Sequence, residues 1–469
     1  VPLAPRPAIP PASSSALDRR LGPVDAAAIV ISNVIGGGIF FVPIIVAQMV
    51  GSPTAILWVW LLGGALAFAG AMAYAELSAL RPRAGGEYVY LREAFGPLAA
   101  FLTGWTSFVA GFSGAIAASA VAVADYIGRF VPSAADATPM LTVPLPFVPL
   151  IVSRRALVAL VPIAVLALIH IRGLGPGRIV QNALAGLKAG ALAIIIALGF
   201  MVGSSGSPVA DTGAPLDVAV PLSGMLLALV PIMFTYSGWN AAVYVAEEVR
   251  DPGRNVPLAL GLGTATVIVI YVALNALYLH VLSAPQLAAL PGRLLDVVGE
   301  RLFGVAAANA IGIFTIVSLS ASISAMTLAG PRVYYAMAKD GLFLPSAARV
   351  HPRFRTPAAA IIAQAIWSTV LVLCGTLSQL VSYTGFAVIL FSAVAVVCVF
   401  VLRRREPNAP RPFRAWGYPW APAVFVIACA AMVVNEMIRN GSTAIAGIAV
   451  IIAGIPVYFL FKPARITHH

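Results

Sequence analysis

The residues with the most pointed chemistry in this chain are glycines and hydroxyls set where an apolar helix should have neither. Ile35-Gly36-Gly37-Gly38-Ile39-Phe40 lies near the centre of one hydrophobic run, and Met233-Phe234-Thr235-Tyr236-Ser237-Gly238-Trp239-Asn240 lies near the centre of another. Such residues weaken a backbone ladder where no water can repair it, so a helix broken there has to line a cavity. At each break the amide N–H groups that start the second half-helix face the gap with the positive dipole end behind them, and freed carbonyls end the first half. That pairing suits a carboxylate on one side and an ammonium on the other, and an amino acid carries both. The candidate binding residues are therefore Ile35, Gly36, Gly37, Gly38, Phe234, Thr235, Ser237, Trp239 and Asn240, with Asn33 one turn before the first break.

Lys188 is the sharpest single residue. It follows Arg178 by ten positions, roughly 15 Å along a helix, which puts it near the middle of a hydrocarbon layer about 30 Å thick. A charge there costs at least about 2.5–3.5 kcal/mol unless it faces the protein interior, and snorkelling from mid-span is too far. Burial would lower its pKa enough for it to carry a proton, which is one of two roles open to it. Glu247 and Glu248 close the second broken run at its C-terminal end, where the helix dipole disfavours anions. Something basic must hold them, and an inner gate with Arg81, Arg83 or Arg20 is the candidate, against a solvated helix end. Glu76 reads as an interface residue or a local ion pair, and Asp125, His170, His280 and Glu436 fall near span ends with no assigned role.

Placing these residues requires membrane helices. The 469 residues are 60% hydrophobic and only 10% charged, far from the roughly 45–50% apolar and 25% charged of soluble domains. Apolar runs of about 20 residues or more give about twelve spans, near 24–49, 54–80, 97–128, 154–171, 179–202, 221–248, 256–283, 302–337, 357–377, 381–402, 419–438 and 442–461. The net charge of +12 is scattered between the spans and forms no nucleic-acid stripe. With both termini cytoplasmic, only Arg129, Arg154, Arg155, Arg293, Arg301 and Arg439 fall in outer segments, which satisfies the positive-inside rule. Cys374, Cys398 and Cys429 sit inside spans without metal spacing and read as buried thiols.

The two interrupted spans are the first and the sixth. An offset of five makes them antiparallel, so two five-span halves related by an inverted pseudo-twofold are expected, the arrangement of secondary transporters with broken helices at the midplane. The expected layout is a disordered cytoplasmic tail over 1–20, a first repeat over 21–203, a second over 204–405, and two appended spans with the C-terminus over 406–469. The 81–92 loop, Arg-Pro-Arg-Ala-Gly-Gly-Glu-Tyr-Val-Tyr-Leu-Arg, reads as a turn followed by an amphipathic start at the headgroup level.

Three stretches in this order, Gly36 to Phe40, the Arg-Ala-Gly-Gly-Glu-Tyr-Val-Tyr loop, and Tyr-Ser-Gly-Trp-Asn followed by Glu247-Glu248-Val249-Arg250-Asp251-Pro252-Gly253-Arg254-Asn255-Val256-Pro257, resemble the amino acid, polyamine and organocation family. The last two are most similar to its L-type amino acid transporter branch. The resemblance implies an all-α polytopic protein with the LeuT-type five-plus-five inverted fold and discontinuous helices 1 and 6. It implies a substrate carboxylate on the amides of Gly37 and Gly38, an amino group on carbonyls of Ile35, Phe234 and Ser237, and Phe234 closing over the substrate. Asn240 matches a polar pocket residue of the L-type branch. Lys188, after Gln181-Asn182, resembles the span 5 lysine whose ammonium replaces a sodium ion, the second role open to it. Gly37 stands where relatives commonly carry Ser or Ala, and Ser237 where they commonly carry Gly.

The centres of spans 3, 8 and 10 carry no charged residue between Leu98 and Ala124, Arg301 and Arg332, or Val381 and Leu402, which favours neutral substrates, although Phe234, Trp239 and Trp105 could hold a cation through their ring faces. The expected function is sodium-independent amino acid transport, by exchange or with a proton. A polyamine or cationic amino acid carrier of the same fold is the alternative, and an ion channel a remote one. No zinc motif, nucleophile elbow or phosphate loop is present, so no enzyme and no cofactor is expected. The expected partners are the substrate and the bilayer, with no nucleic acid and no protein partner.

Overall fold

The computed structural model describes residues 17–144, 149–202, 222–290, 294–374, 377–439 and 441–461. Nine helices among these are long and apolar enough to cross a membrane, and Pro23–Val34, Gly224–Tyr236 and Ala358–Leu373 are shorter apolar ones. Together they make an all-α multi-pass membrane protein in which the short members are the halves of broken spans and one ordinary helix.

Span 1 is split into Pro23–Val34 and Val42–Val50, with a 3-10 turn over Gly37–Phe40 between them. Span 6 stops at Tyr236 after Leu222–Tyr236, and resumes as the short helix Ala241–Tyr244 and a 3-10 turn over Ala246–Glu248. Both interruptions therefore fall where the glycine runs place them. The remaining spans are Pro53–Leu80 (span 2), Pro97–Ile127 (span 3), Arg154–Ile171 (4), Leu174–Val202 (5), Pro252–Val281 (7), Val305–Lys339 (8), Ala358–Leu373 (9), Leu377–Arg405 (10), Trp420–Arg439 (11) and Gly441–Phe461 (12). Span 2 packs along span 7 and span 3 along span 8, each against the helix five positions later. Span 3 relaxes into a π turn over Ser107–Gly111, a geometry that often marks functional sites in helices.

The connecting segments add three local features. The helix Glu87–Phe95 between spans 2 and 3 packs inward, with Tyr88, Val89, Tyr90 and Leu91 all buried against the bundle. Leu17, inside the expected tail, is buried with Ala84 and Tyr335, and Asp18 pairs with Arg20 at 2.8 Å and Arg355 at 3.4 Å; residues 1–16 of that tail lie outside the described residues. The connection between spans 3 and 4 folds into an antiparallel hairpin, Leu141–Val143 with Leu150–Val152.

The end of the bundle that carries most of the basic loops is laced by ion pairs. Glu76 is 2% exposed and bonds Arg403 at 2.6 Å and Arg411 at 3.3 Å, while the Ala415 amide donates to it at 2.7 Å. Glu76 is thus a buried pairing centre that holds the segment after span 10 to span 2. His170 is also interior, its Nε2 lying 2.9 Å from Ser324 Oγ of span 8.

Candidate functional site

The two breaks meet across a cavity of about 220 Å³, smaller than the roughly 300–1,000 Å³ of pockets for drug-sized ligands. Asn33, Gly36, Gly37 and Gly38 line it from span 1, and Phe234, Thr235, Ser237 and Asn240 from span 6. Span 3 adds Thr103, Thr106 and Ser107 at its π turn, span 8 adds Ser322 and Met326, and span 10 adds Phe391. One wall residue comes from none of these: Glu87, from the helix between spans 2 and 3.

The local backbone explains the opening. Gly37 and Gly38 start a 3-10 turn, so their N–H groups have no acceptor within it. Gly38 faces Thr235 so closely that a Cβ there would sit 2.9 Å from Thr235 Oγ1. Tyr271 of span 7 brings its hydroxyl within 2.8 Å of the Val34 carbonyl and 3.3 Å of the Thr235 carbonyl, so one side chain serves a freed acceptor of each break. Gly238 has φ +98°, and a Cβ on it would lie 3.1 Å from the Asn33 carbonyl carbon and oxygen. Backbone strain for a side chain in such a region is about 1–3 kcal/mol, so Gly238→Ala is expected to destabilise the fold by about that much, read as a lowered apparent melting temperature in detergent. A wild-type melting temperature in Gly238→Ala would refute the close contact between the two breaks.

Lys188 lies behind the span 1 break and does not line the cavity. It is fully buried, and its Nζ donates to Ser32 O and Ser322 Oγ at 3.1 and 2.9 Å and also to Ile35 O. Three acceptors match the three N–H bonds of an ammonium. A second tie joins the same helices, since Asn182 Nδ2 donates to Asp25 Oδ1 at 2.5 Å.

Several sequence-derived assignments move. Ile35 does not face the cavity, because its carbonyl is taken by Lys188 and by Ser322 Oγ at 3.2 Å; it belongs to the lysine's cage. Trp239 is a packing residue, 3% exposed and edge-on to Tyr74 and Phe425 with ring centroids at 4.8 and 5.8 Å. Trp105 turns away as well, its indole N–H donating to Val450 O of span 12 at 2.9 Å. Neither indole is on hand for a bound cation.

The acidic end of span 6 finds a different partner from those expected. Glu248 is held by Arg332 of span 8 in a bidentate pair, Nε–Oε1 2.7 Å and Nη2–Oε2 3.0 Å, with both side chains 1% exposed. Arg81 instead bridges Glu93 and Glu406, Arg83 lies 3.8 Å from Glu93, and Glu247 accepts from the Ala84 amide at 3.1 Å. The chain before span 1 is stitched to the same place, with Leu21 N donating to Glu248 O and Arg250 N to Leu21 O, both at 2.9 Å. Arg332 reads in the sequence as one more basic residue at a span end, so nothing local marks it as the counter-ion. Glu87 was passed over for a similar reason, as it sits in a polar loop motif whose helix turns inward only in the tertiary fold.

Comparison with known proteins agrees with this arrangement. A family model described as amino acid permease matches residues 21–461. The human large neutral amino acids transporter small subunit 2 is 30% identical over 449 residues, covering 95% of this chain and 81% of that protein. The serine/threonine exchanger SteT of Bacillus subtilis is 27% identical across 96% of this chain and 98% of its own length, and the human cystine/glutamate transporter 29% identical across 95% and 85%. These relatives are transporters and not enzymes, and with the match spanning both broken helices and the cavity between them, the chain belongs to the amino acid permease family of multi-pass membrane proteins.

Proposed function

We propose that this chain moves amino acids across the membrane by alternating access, with the substrate carboxylate on the amides of Gly37 and Gly38 and its amino group on carbonyls at the span 6 break. The observation that carries the reading is the meeting of two unwound segments over one small cavity, donors from one and acceptors from the other. Broken spans five apart, with spans 2 on 7 and 3 on 8, support two inverted halves over 21–203 and 204–405 and a rocking motion between them. The distribution of basic loops supports a reading in which both termini lie on the cytoplasmic side of the cell membrane.

Lys188 acts as a fixed cation in this reading, because its three N–H bonds are all committed and it does not line the cavity. Transport is then independent of sodium. Neutral L-amino acids are the favoured substrates, since none of the described span residues lining the cavity carries a charged side chain. The printed names of the relatives cover neutral amino acids, serine and threonine, and cystine and glutamate, so the name alone does not choose among them. Glu87 is the single observation that favours the cationic alternative, and competition by arginine or putrescine tests it. The outer connections carry no cysteine for a covalent subunit, and the chain works without a disulfide-linked partner.

Counterflow in proteoliposomes checks the reading. Liposomes preloaded with a mixture of neutral amino acids are expected to accumulate labelled serine or leucine equally in sodium and choline buffers. Absence of exchange for every amino acid tried would reject transport, and loss of uptake on sodium removal would reject the fixed-cation role of Lys188.

A further inference from the structure

Among the described residues lining the cavity one is a carboxylate, Glu87, and it has no cationic partner. Glu87 keeps part of its surface open to the cavity. Tyr74 Oη of span 2 donates to its Oε1 at 2.5 Å and Asn240 Nδ2 of the span 6 break donates to the same oxygen at 2.7 Å. Asn240 is shared with the Tyr244 hydroxyl at 3.0 Å. The Tyr74 and Asn240 bonds both fall on Oε1, so a proton on Oε2 displaces neither of them.

The surroundings are neutral. The titratable groups facing Glu87 are Tyr74 of span 2, Tyr90 of its own helix, Tyr244 of span 6 and Cys398 of span 10. The charged neighbours along that helix are engaged elsewhere: Arg92 pairs with Asp340 of span 8 at 2.7 Å, where Tyr88 also donates at 2.7 Å, and Glu93 pairs with Arg81. Among the described residues Glu87 makes no ion pair. A carboxylate enclosed by protein without a cation is costly to keep charged. Burial accordingly raises the Glu87 carboxyl above its usual range, against the opposing pull of the donors Tyr74, Asn240 and Tyr244.

Resting on the amino acid transport reading of this cavity, we propose that Glu87 is a proton-binding site of the transport cycle. Ionised, it draws Tyr74 and Asn240 onto one oxygen and so ties the connecting helix, through Asn240, to the mobile break of span 6. Taking one proton from water on Oε2 raises the charge of the site by one and weakens the charge-assisted bond to Asn240. The span 6 segment that contacts substrate is thereby freed to move. Nothing else is bonded or released, so each turnover through the protonated form carries one proton with the substrate. Lys188 has no part in this step, because its N–H bonds are committed to the span 1 break.

The test uses the full chain in liposomes holding an internal pH dye, with labelled L-serine as probe. Exchange at equal pH on both sides establishes first that the protein transports, so a lack of exchange at every pH would count against the transport reading and not against Glu87 in particular. Where exchange is present, the wild-type rate is expected to rise about tenfold as the pH is lowered through the titration of the raised Glu87 carboxyl. Net uptake is expected to acidify the lumen. Glu87→Gln, which carries no titratable proton, is expected to give a rate that does not vary with pH and no acidification. Tyr74→Phe removes a donor that favours the ionised form, and its profile is expected to shift to higher pH, a displacement that a purely structural role would not produce. A flat wild-type profile without proton movement would overturn the proposal. So would a wild-type profile in Glu87→Gln, or, should that variant be inactive, an unmoved profile in Tyr74→Phe. Selective loss of arginine competition in Glu87→Gln with the pH dependence intact would assign the carboxylate to substrate cations instead.

Discussion

Lys188→Met is expected to abolish transport and to leave a folded but less stable protein. The methionine keeps the length and most of the volume of the lysine stem while removing the three donors that reach Ser32 O, Ile35 O and Ser322 Oγ. Two of those acceptors are carbonyls freed by the span 1 break, in a region where no water is on hand to replace the lost bonds. An orphaned buried acceptor costs about 1–3 kcal/mol, so the broken geometry of span 1 loses much of what holds it open. Transport then falls about a hundredfold or more, since about 2.8 kcal/mol corresponds to two decades. Exchange of labelled serine by reconstituted Lys188→Met measures the effect, and thermal unfolding in detergent separates loss of activity from loss of fold. A variant within about twofold of wild type would remove Lys188 from the mechanism, because a site this dependent on one ammonium could not tolerate its deletion.

The second large effect lies at the other end of span 6. Arg332 and Glu248 are buried together, and Arg332 Nη1 also donates to Leu328 O of its own helix at 2.6 Å. Breaking a buried pair by removing one member leaves an uncompensated charge and costs about 3–5 kcal/mol. Arg332→Met is therefore expected to lower the apparent melting temperature sharply and to loosen the contact of span 8 with the end of span 6 and with Leu21. Glu248→Gln alone should be destabilising as well, because the guanidinium then lacks its counter-charge. The double variant Arg332→Met with Glu248→Gln is expected to recover a substantial part of the loss, which a double-mutant cycle reads directly as coupling. Additive single effects would show that the two side chains act independently and that the pair is no latch. The same cycle tests the gate, since a pair that opens during transport should change turnover more in the double variant than its recovered stability accounts for.

The breaks were legible because glycine runs and hydroxyls inside an apolar segment have few other uses. The burial of Lys188 was legible for a related reason, as helix rise and layer thickness leave a lysine at that position no way out but the protein interior. Orientation of individual side chains around the helices was not. Trp239 belongs to the same conspicuous run as Asn240 and yet faces Tyr74 and Phe425, while Asn240 faces the cavity. Adjacent residues at a helix break have no regular periodicity, so their directions follow from what packs against them.

By itself, then, the sequence determined the membrane class, the order of the spans, the positions of both interruptions and the burial of the lysine. Each of these depends on hydrophobicity and backbone chemistry that act along the chain. Only the tertiary structure decided that Ile35 belongs to the lysine and not to the cavity, that Glu248 answers to Arg332 and not to Arg81, and that Glu87 turns from a loop motif into the cavity wall. Those outcomes turn on partners far apart in sequence, as Arg332 and Glu248 are. A buried charge selects its counterpart by distance and geometry in the folded bundle, which no local pattern records.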